Sequence, residues 1–184
     1  MQSGLGKGKD GKPKRDLDGG WYVKKDNRGI IKFTYGYSVH TDVDEDGFIQ
    51  RQAVTAGNVR DSQERDTLLL GDEAALYADA AYGPEETRDK LERSGIADQM
   101  QRKGYRNKPL LEQDSRRSDA ITVIRAGSER PFATYKSRYG LARTPFMGLA
   151  KSMTAYGIAA IAHNLRKGAK FLTLYGLPDP NCAE

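Results

Sequence analysis

Hydrophobic and polar residues alternate along the chain between positions 31 and 39. Every second residue of this segment is apolar or aromatic, and Lys, Thr, Gly and Ser stand between them. A period of two predicts a β-strand with one covered face. Residues 44–47 (Asp-Glu-Asp-Gly) suit a turn with positive φ at the glycine, and residues 48–55 suit a returning strand. The pattern therefore predicts an antiparallel hairpin.

The apolar run of residues 76–82 contains a single carboxylate, Asp79. A short apolar run before Gly-Pro predicts a strand covered on both faces. A helix is predicted before it, from Asp61, which would cap that helix together with Glu64. Another helix is predicted after it, from Pro84 to about Arg93, and residues 96–102 suit a further short strand.

The last third of the chain has helical periodicity. Pro131 interrupts the first helical pattern, so it either kinks that helix or marks the start of a new one. A second helix is predicted over residues 147–167, with Met147, Ala150, Met153, Gly157, Ile161 and Leu165 on one side and small residues, among them Ala159 and Ala160, that permit close packing against the sheet. His163 is expected on the helix surface or packed beneath it. Strands followed alternately by helices predict a mixed α/β sheet in a single domain.

Charge is distributed unevenly along the 184 residues. Residues 99–170 contain 15 Lys and Arg against 4 Asp and Glu, whereas the remainder contains 15 against 21. A basic half favours a polyanionic partner such as nucleic acid, and the alternative is a solvated basic surface. The single cysteine, Cys182, excludes an internal disulfide. With no secretory signal and no apolar run of spanning length, a cytoplasmic protein without membrane contact is expected.

Two carboxylates are candidates for chemistry. Burying an unpaired charge is costly. Asp79 is therefore either a buried functional group, a cap of the next helix, or a residue at a solvent-exposed strand end. Glu129 lies between Arg125 and Lys136 at offsets of four and seven, which places the three on one face of a continuous helix. They form either a surface ion-pair ladder or a metal ligand, Glu129, flanked by two phosphate-binding cations.

Several short motifs, in one order from about Trp21 to Leu172, resemble the DDE transposases of bacterial insertion sequences, in the insertion-sequence-four/five group. The motifs are Tyr-Gly-Tyr-Ser-Val-His at 35–40, Val-Thr-Ala-Gly-Asn-Val-Arg-Asp-Ser at 54–62, Tyr-Ala-Asp-Ala-Ala-Tyr at 77–82, Glu-Arg-Pro-Phe at 129–132, Gly-Leu-Ala-Lys at 148–151 and Asn-Leu at 164–165. Arg125, Glu129 and Lys136 also match the spacing of that group's Tyr-Arg-Glu-Lys signature, although Thr122 stands at the Tyr position.

The resemblance implies a ribonuclease H-like catalytic domain whose Asp-Asp-Glu triad binds Mg²⁺ or Mn²⁺. Asp79 and Glu129 match the second and third members and are the predicted catalytic and metal-binding residues. The first Asp of the family lies on a strand upstream of the hairpin, and Asp16 and Asp18 lie in a Gly/Lys-rich segment unsuited to a buried strand. We therefore expect a truncated or split-frame copy with an incomplete ribonuclease H-like fold, weak or absent metal binding and no activity alone.

The expected partner is double-stranded DNA at the ends of the element. The predicted phosphate contacts are Lys103, Arg106, Lys108, Arg125, Lys136, Arg138 and Arg143. Residues 1–20 are predicted to be a basic loop or disordered, 21–175 the carboxy-terminal part of the DDE domain, and 176–184 a tail. A homo-oligomer, or pairing with an upstream transposase segment, is also expected. The alternative function is a non-catalytic nucleic-acid-binding protein that pairs or competes with an intact transposase.

Overall fold

A three-stranded antiparallel sheet lies in the amino-terminal third of the sequence. A computed structural model describes residues 16–26, 28–80, 85–104 and 109–176. Strands β1 (Gly20–Lys25), β2 (Ile31–Val43) and β3 (Ile49–Ala56) are adjacent in that order. The predicted hairpin of β2 and β3 is confirmed, and Gly47 adopts φ +86° in its turn. Asp44 accepts a 2.8 Å hydrogen bond from the backbone of Phe48, which stabilises that turn.

Strand β1 was not predicted from the sequence. It pairs with the first half of β2, from Lys25 opposite Ile31 to Gly20 opposite Gly36. Strand β3 pairs only with the second half of β2, from Tyr37 to Val43. The exposed apolar residues of β1, at positions 21–23, are consecutive and do not alternate with polar ones. The sequence therefore contained no period of two that would have predicted this strand.

A two-stranded parallel sheet carries Asp79 at its end. Strands β4 (Ala75–Ala78) and β5 (Ala97–Met100) are parallel, and helix α2 (Glu85–Arg93) connects them. Ala78, Leu91, Ile96 and Met100 form the core of this unit. The prediction of a strand covered on both faces was wrong, because Tyr77 is 40% exposed and the strand ends at Ala78. Residues 81–84, including the predicted helix start at Pro84, lie outside the described residues.

Helix α1 (Asp61–Leu68) begins at the predicted residue, but the predicted capping residues were wrong. Gln63, not Glu64, accepts a 3.0 Å hydrogen bond from the backbone of Arg60, which precedes the helix. Asp61 instead lies 2.8 Å from Nδ1 of the buried His40 on β2. The tertiary contact with His40 therefore replaces the local cap that the sequence indicated.

Pro131 separates two helices rather than kinking one. Helix α3 (Glu112–Arg125) ends before a turn, and α4 (Arg130–Ser137) contains Pro131 in its first turn. Proline is tolerated there because its missing N–H has no partner in the first turn of a helix. The prediction that Arg125, Glu129 and Lys136 share one helical face was therefore wrong. Arg125 ends α3, Glu129 lies in the intervening turn, and Lys136 lies in the last turn of α4.

Helix α5 (Leu149–Tyr175) packs on the antiparallel sheet, mainly against β3. Its buried residues are Ser152, Ala159 and His163. Ala159 is one of the small residues predicted to permit close packing on the sheet, whereas Met153, Ile161 and Leu165 are 51%, 62% and 70% exposed. Small and hydrogen-bonding side chains face the sheet because the helix approaches the backbone of the β2–β3 turn, where His163 Nε2 lies 3.3 Å from the carbonyl oxygen of Gly47.

The second hydrophobic core lies between α4, α5 and the antiparallel sheet. Ile49, Tyr135 and Ala159 are its buried members. The Tyr135 hydroxyl donates a 2.6 Å hydrogen bond to Gln52 on β3, and burial raises the pKa of Tyr135. The two sheets together confirm a mixed α/β architecture. Within the described ranges, no helix is long and apolar enough to cross a membrane.

Candidate catalytic and DNA-binding site

Asp79 directly follows the last residue of β4 and is partly buried. Parallel pairing places Ala78 opposite Met100, and the backbone N–H of Gln101 donates a 2.9 Å hydrogen bond to the carbonyl oxygen of Ala78. The main chain beside Asp79 is therefore held by the residue that follows β5. This fixes the point at which the Asp79 carboxylate leaves the sheet.

The side chain of Gln101 connects this sheet end to helix α3. Its Nε2 donates to the hydroxyl of Thr122 at 2.7 Å and to the carbonyl oxygen of Ser118 at 3.1 Å. Its Oε1 accepts from Arg125 Nη1 at 3.0 Å. The last turn of α3 is thereby tied to the carboxyl end of β4. No sequence pattern indicated this role, because a single Gln after a short strand carries no distinctive motif.

Glu129 is exposed in the turn between α3 and α4 and lies four residues beyond Arg125. Its carbonyl oxygen accepts the 3.1 Å hydrogen bond from Ala133 that begins α4, so the turn orients its backbone. That its carboxylate faces Asp79 across the sheet end stays a prediction. Within residues 16–26, 28–80, 85–104 and 109–176, no group of three or more His, Cys, Asp or Glu is arranged to hold a metal ion.

The predicted DNA-binding cations fall on several elements. Lys103, Lys136, Arg138 and Arg143 are exposed, and Arg125 is half-buried beside Gln101. Lys103 follows β5, Lys136 lies in α4, and Arg138 and Arg143 follow α4. Arg106 and Lys108 lie outside the described residues. The exposed side chains are accessible to a phosphate backbone, and their contact with DNA stays a prediction.

Asp16 and Asp18 hold the start of helix α5. Asp16 Oδ2 accepts a 2.6 Å hydrogen bond from the backbone of Gly148, and Asp18 Oδ2 accepts one of 2.9 Å from Leu149. Acidic side chains are favourable there because the first N–H groups of a helix lack internal partners. The predicted loop segment therefore contributes caps to a helix that begins more than 130 residues later in the sequence, which no local pattern indicated.

The hydroxyl of Tyr37 also donates to the Asp16 carboxylate. Partial burial raises the pKa of Asp16, but hydrogen bonds from Tyr37, Gly148 and Asp18 outweigh it and hold the pKa below the usual range. Burial and the adjacent Asp16 carboxylate raise the pKa of Tyr37 to about 12. Asp16 therefore acts as a charged structural cap in the folded protein.

The pKa of the Asp42 carboxyl, in contrast to that of Asp16, is raised. Burial is the largest cause, and the nearby carboxylates of Glu73 and Asp44 add to it. It lies on β2 opposite Arg51. Glu73 is itself engaged, since its carboxylate accepts backbone hydrogen bonds from Leu70 and Gly71. Asp42 is thus a half-buried acid within the hairpin.

Comparison with known proteins identifies the family. A family model described as the transposase DDE domain matches residues 9–165. The chain is 31% identical over 163 residues to the transposase for insertion sequence element IS1106 of Neisseria meningitidis serogroup B, an alignment that covers 88% of this chain and 55% of that relative. The chain thus spans about half the length of this curated relative, and no solved structure matches it. Because the family match covers most of its residues, the chain belongs to the DDE transposase family.

Proposed function

We propose that this chain takes part in metal-dependent cleavage and joining of DNA, with Asp79 and Glu129 as two of the carboxylates that hold divalent ions. The observation that carries the proposal is the link through Gln101, which ties the sheet end beside Asp79 to Arg125 at the end of α3. Glu129 follows that helix by four residues. Two acids far apart in sequence are thus attached to one hydrogen-bonded framework, of the kind expected in an incomplete ribonuclease H-like domain.

The chemistry of the donor set fits Mg²⁺ or Mn²⁺, because both ions prefer oxygen ligands. Asp79 and Glu129 would hold such ions, which would supply activation of an attacking water or hydroxyl and charge stabilisation of the leaving oxygen. Asp79 and Glu129 supply two carboxylates, which is fewer than a pair of ions requires. We infer that a third carboxylate comes from a polypeptide segment outside this sequence, in cis or in trans, and that the chain alone binds metal weakly.

An exposed face of helix α5 is the proposed binding surface for that segment. Ile158, Ile161 and Leu165 recur at offsets of three and four and are 63%, 62% and 70% exposed, and Leu172 continues the stripe at 44%. Contiguous apolar patches on soluble proteins mark interaction sites. The curated relative is nearly twice as long as the aligned region, so additional chain is available in that protein to cover an equivalent face.

Binding to DNA is proposed to be electrostatic and independent of sequence. Lys103, Lys136, Arg138 and Arg143 offer exposed positive charge, and residues 99–170 carry a net charge of 15 − 4 = +11. Contacts of basic side chains with phosphate carry no base information. This charge also supports the alternative function, a non-catalytic DNA-binding protein that pairs or competes with an intact transposase.

Cleavage of a DNA end with Mg²⁺ or Mn²⁺ tests the catalytic proposal. The 184-residue chain alone is expected to be inactive, and addition of the amino-terminal segment of an intact transposase is expected to restore nicking. Asp79→Asn and Glu129→Gln should each abolish the restored activity. Glu112→Gln is the matched control, because Glu112 is an exposed acid on α3 bonded to Arg116.

The outcome separates the two functions. Restored nicking that is insensitive to Asp79→Asn and Glu129→Gln would refute the site assignment. Nicking by the chain alone that disappears in Asp79→Ala would show that another carboxylate of this chain completes the site. DNA binding without any restored cleavage would favour the non-catalytic alternative.

A further inference from the structure

The paired region of β1 with the first half of β2 projects beyond the rest of its sheet. We call this region the ribbon: Gly20–Lys25 of β1 with residues 31–36 of β2. Strand β3 pairs with β2 only from Tyr37 onward, so among the described residues no third strand pairs with the ribbon. Trp21, Val23 and Phe33 are 48%, 53% and 66% exposed on it. Exposed apolar side chains on a projecting two-stranded region favour a binding partner.

One face of the ribbon brings two lysines together. The register pairs Lys24 with Lys32 directly across the strands, and Tyr22 with Thr34 on the same face. Both lysines are exposed, and the side chain of Lys32 is 69% accessible. Like charges directly opposite one another destabilise an antiparallel pair. An anion bound across this face would remove that repulsion, which the isolated protein retains.

The charge around the ribbon is strongly positive. Residues 20–36 contain Lys24, Lys25, Arg28 and Lys32 and a single acid, Asp26. Asp26 Oδ1 accepts backbone hydrogen bonds from Arg28 and Ile30, each of 2.9 Å, and its Oδ2 lies 3.6 Å from Lys32 Nζ. The acid thus stabilises the turn and offsets only part of the charge, so a polyanion is the partner that suits this surface.

We propose that the ribbon is a DNA-binding arm whose Lys24 and Lys32 face contacts the phosphates of a DNA duplex. A two-stranded β-ribbon has dimensions that the major groove admits. Tyr22 and Thr34 lie on the same face and supply hydroxyl groups for further contacts to the backbone. The inference rests on the proposed function in that it requires DNA binding, and it adds a surface that is separate from the basic residues after β5.

Charge reversal at position 24 tests the ribbon without weakening the fold. Lys24→Glu converts the repulsion with Lys32 into an attraction, so the variant should unfold at a urea concentration equal to or above that of the unaltered chain. Its affinity for duplex DNA should nevertheless fall at low salt. In a second variant, Lys24→Gln with Lys32→Gln, the negative slope of log K against log salt should become shallower by about 1.8, at roughly 0.9 for each phosphate contact.

The control removes two positive charges from another surface. Lys90→Gln with Arg93→Gln alters exposed residues of α2 and should leave the salt dependence of DNA binding unchanged. If this control changes the slope as much as the ribbon variant does, the effect comes from net charge alone and the inference is overturned. If the Lys24→Glu variant binds DNA as tightly as the unaltered chain, the inference is also overturned, and an acidic protein becomes the expected partner. If the unaltered chain binds no duplex DNA, the proposed function falls and this inference with it.

Discussion

Asn164 on helix α5 bonds to both backbone polar groups of Ile49 at the start of β3. Its Oδ1 accepts from the backbone N–H of Ile49 at 2.9 Å, and its Nδ2 donates to the carbonyl oxygen of Ile49 at 2.9 Å. The amide side chain thus takes the place of a neighbouring strand at this one residue. Ile49 is buried, so these backbone groups have little access to water as an alternative partner.

Asn164→Leu leaves a donor and an acceptor of Ile49 without their side-chain partners. Each unsatisfied buried group costs about 1–3 kcal/mol, so the protein is expected to be destabilised by about 2–6 kcal/mol. Urea unfolding at neutral pH measures the loss. Leu165→Ala is the neighbouring control, because Leu165 is 70% exposed, and its free energy of unfolding should change by less than about 0.5 kcal/mol. Equal losses in the two variants would contradict the assigned role of Asn164.

Asp16→Ala should lower the stability at pH 7 by about 0.5–2 kcal/mol, the usual cost of losing a helix cap. The folded-state pKa of Asp16 is lowered, so its contribution is complete above the unfolded-state pKa of about 4 and disappears as the pH falls through the folded-state value. The difference between Asp16→Ala and the unaltered chain should therefore shrink in acid. Urea midpoints measured between neutral and acidic pH provide the comparison, and a difference that stays constant with pH would exclude a charged cap.

Lys136→Gln is expected to weaken binding to all duplex sequences by the same factor. Lys136 is exposed in the last turn of α4, and a contact with phosphate discriminates little among bases. The negative slope of log K against log salt should become shallower by about 0.9. Titrations with two unrelated duplexes at several salt concentrations test this, and a loss confined to one sequence would show base recognition instead.

Ile161→Asp with Leu165→Asp should prevent restoration of activity by the amino-terminal segment of a transposase while leaving the free chain folded. Both side chains lie on the exposed stripe of α5, so burial within the isolated chain does not oppose the change. Binding of that segment, measured by calorimetry, should be lost. Lys170→Asp is an exposed control on the same helix and should leave that binding unchanged. Retained binding by the double variant would place the contact elsewhere.

The sequence by itself determined the elements whose signals are local. Alternation along β2, the Asp-Gly turn before β3 and the apolar residues before Asp79 each describe neighbours in the chain, and the structure contains the corresponding strands. Pro131 indicated a break in the helical pattern because its effect acts within one turn, and the structure decided that it marks the start of α4 rather than a kink. The ordered motifs identified the family for the same reason, since they are contiguous stretches of sequence.

Tertiary structure alone decided which residues meet. The link from Gln101 to Arg125, the caps that Asp16 and Asp18 supply to α5, and the pairing of Asn164 with Ile49 join residues 24 to 132 positions apart. Such contacts depend on how complete elements pack, and no periodicity in the sequence encodes them. For α5, the sequence predicted that small residues permit close packing on the sheet, and the tertiary structure decided that Met153, Ile161 and Leu165 remain exposed.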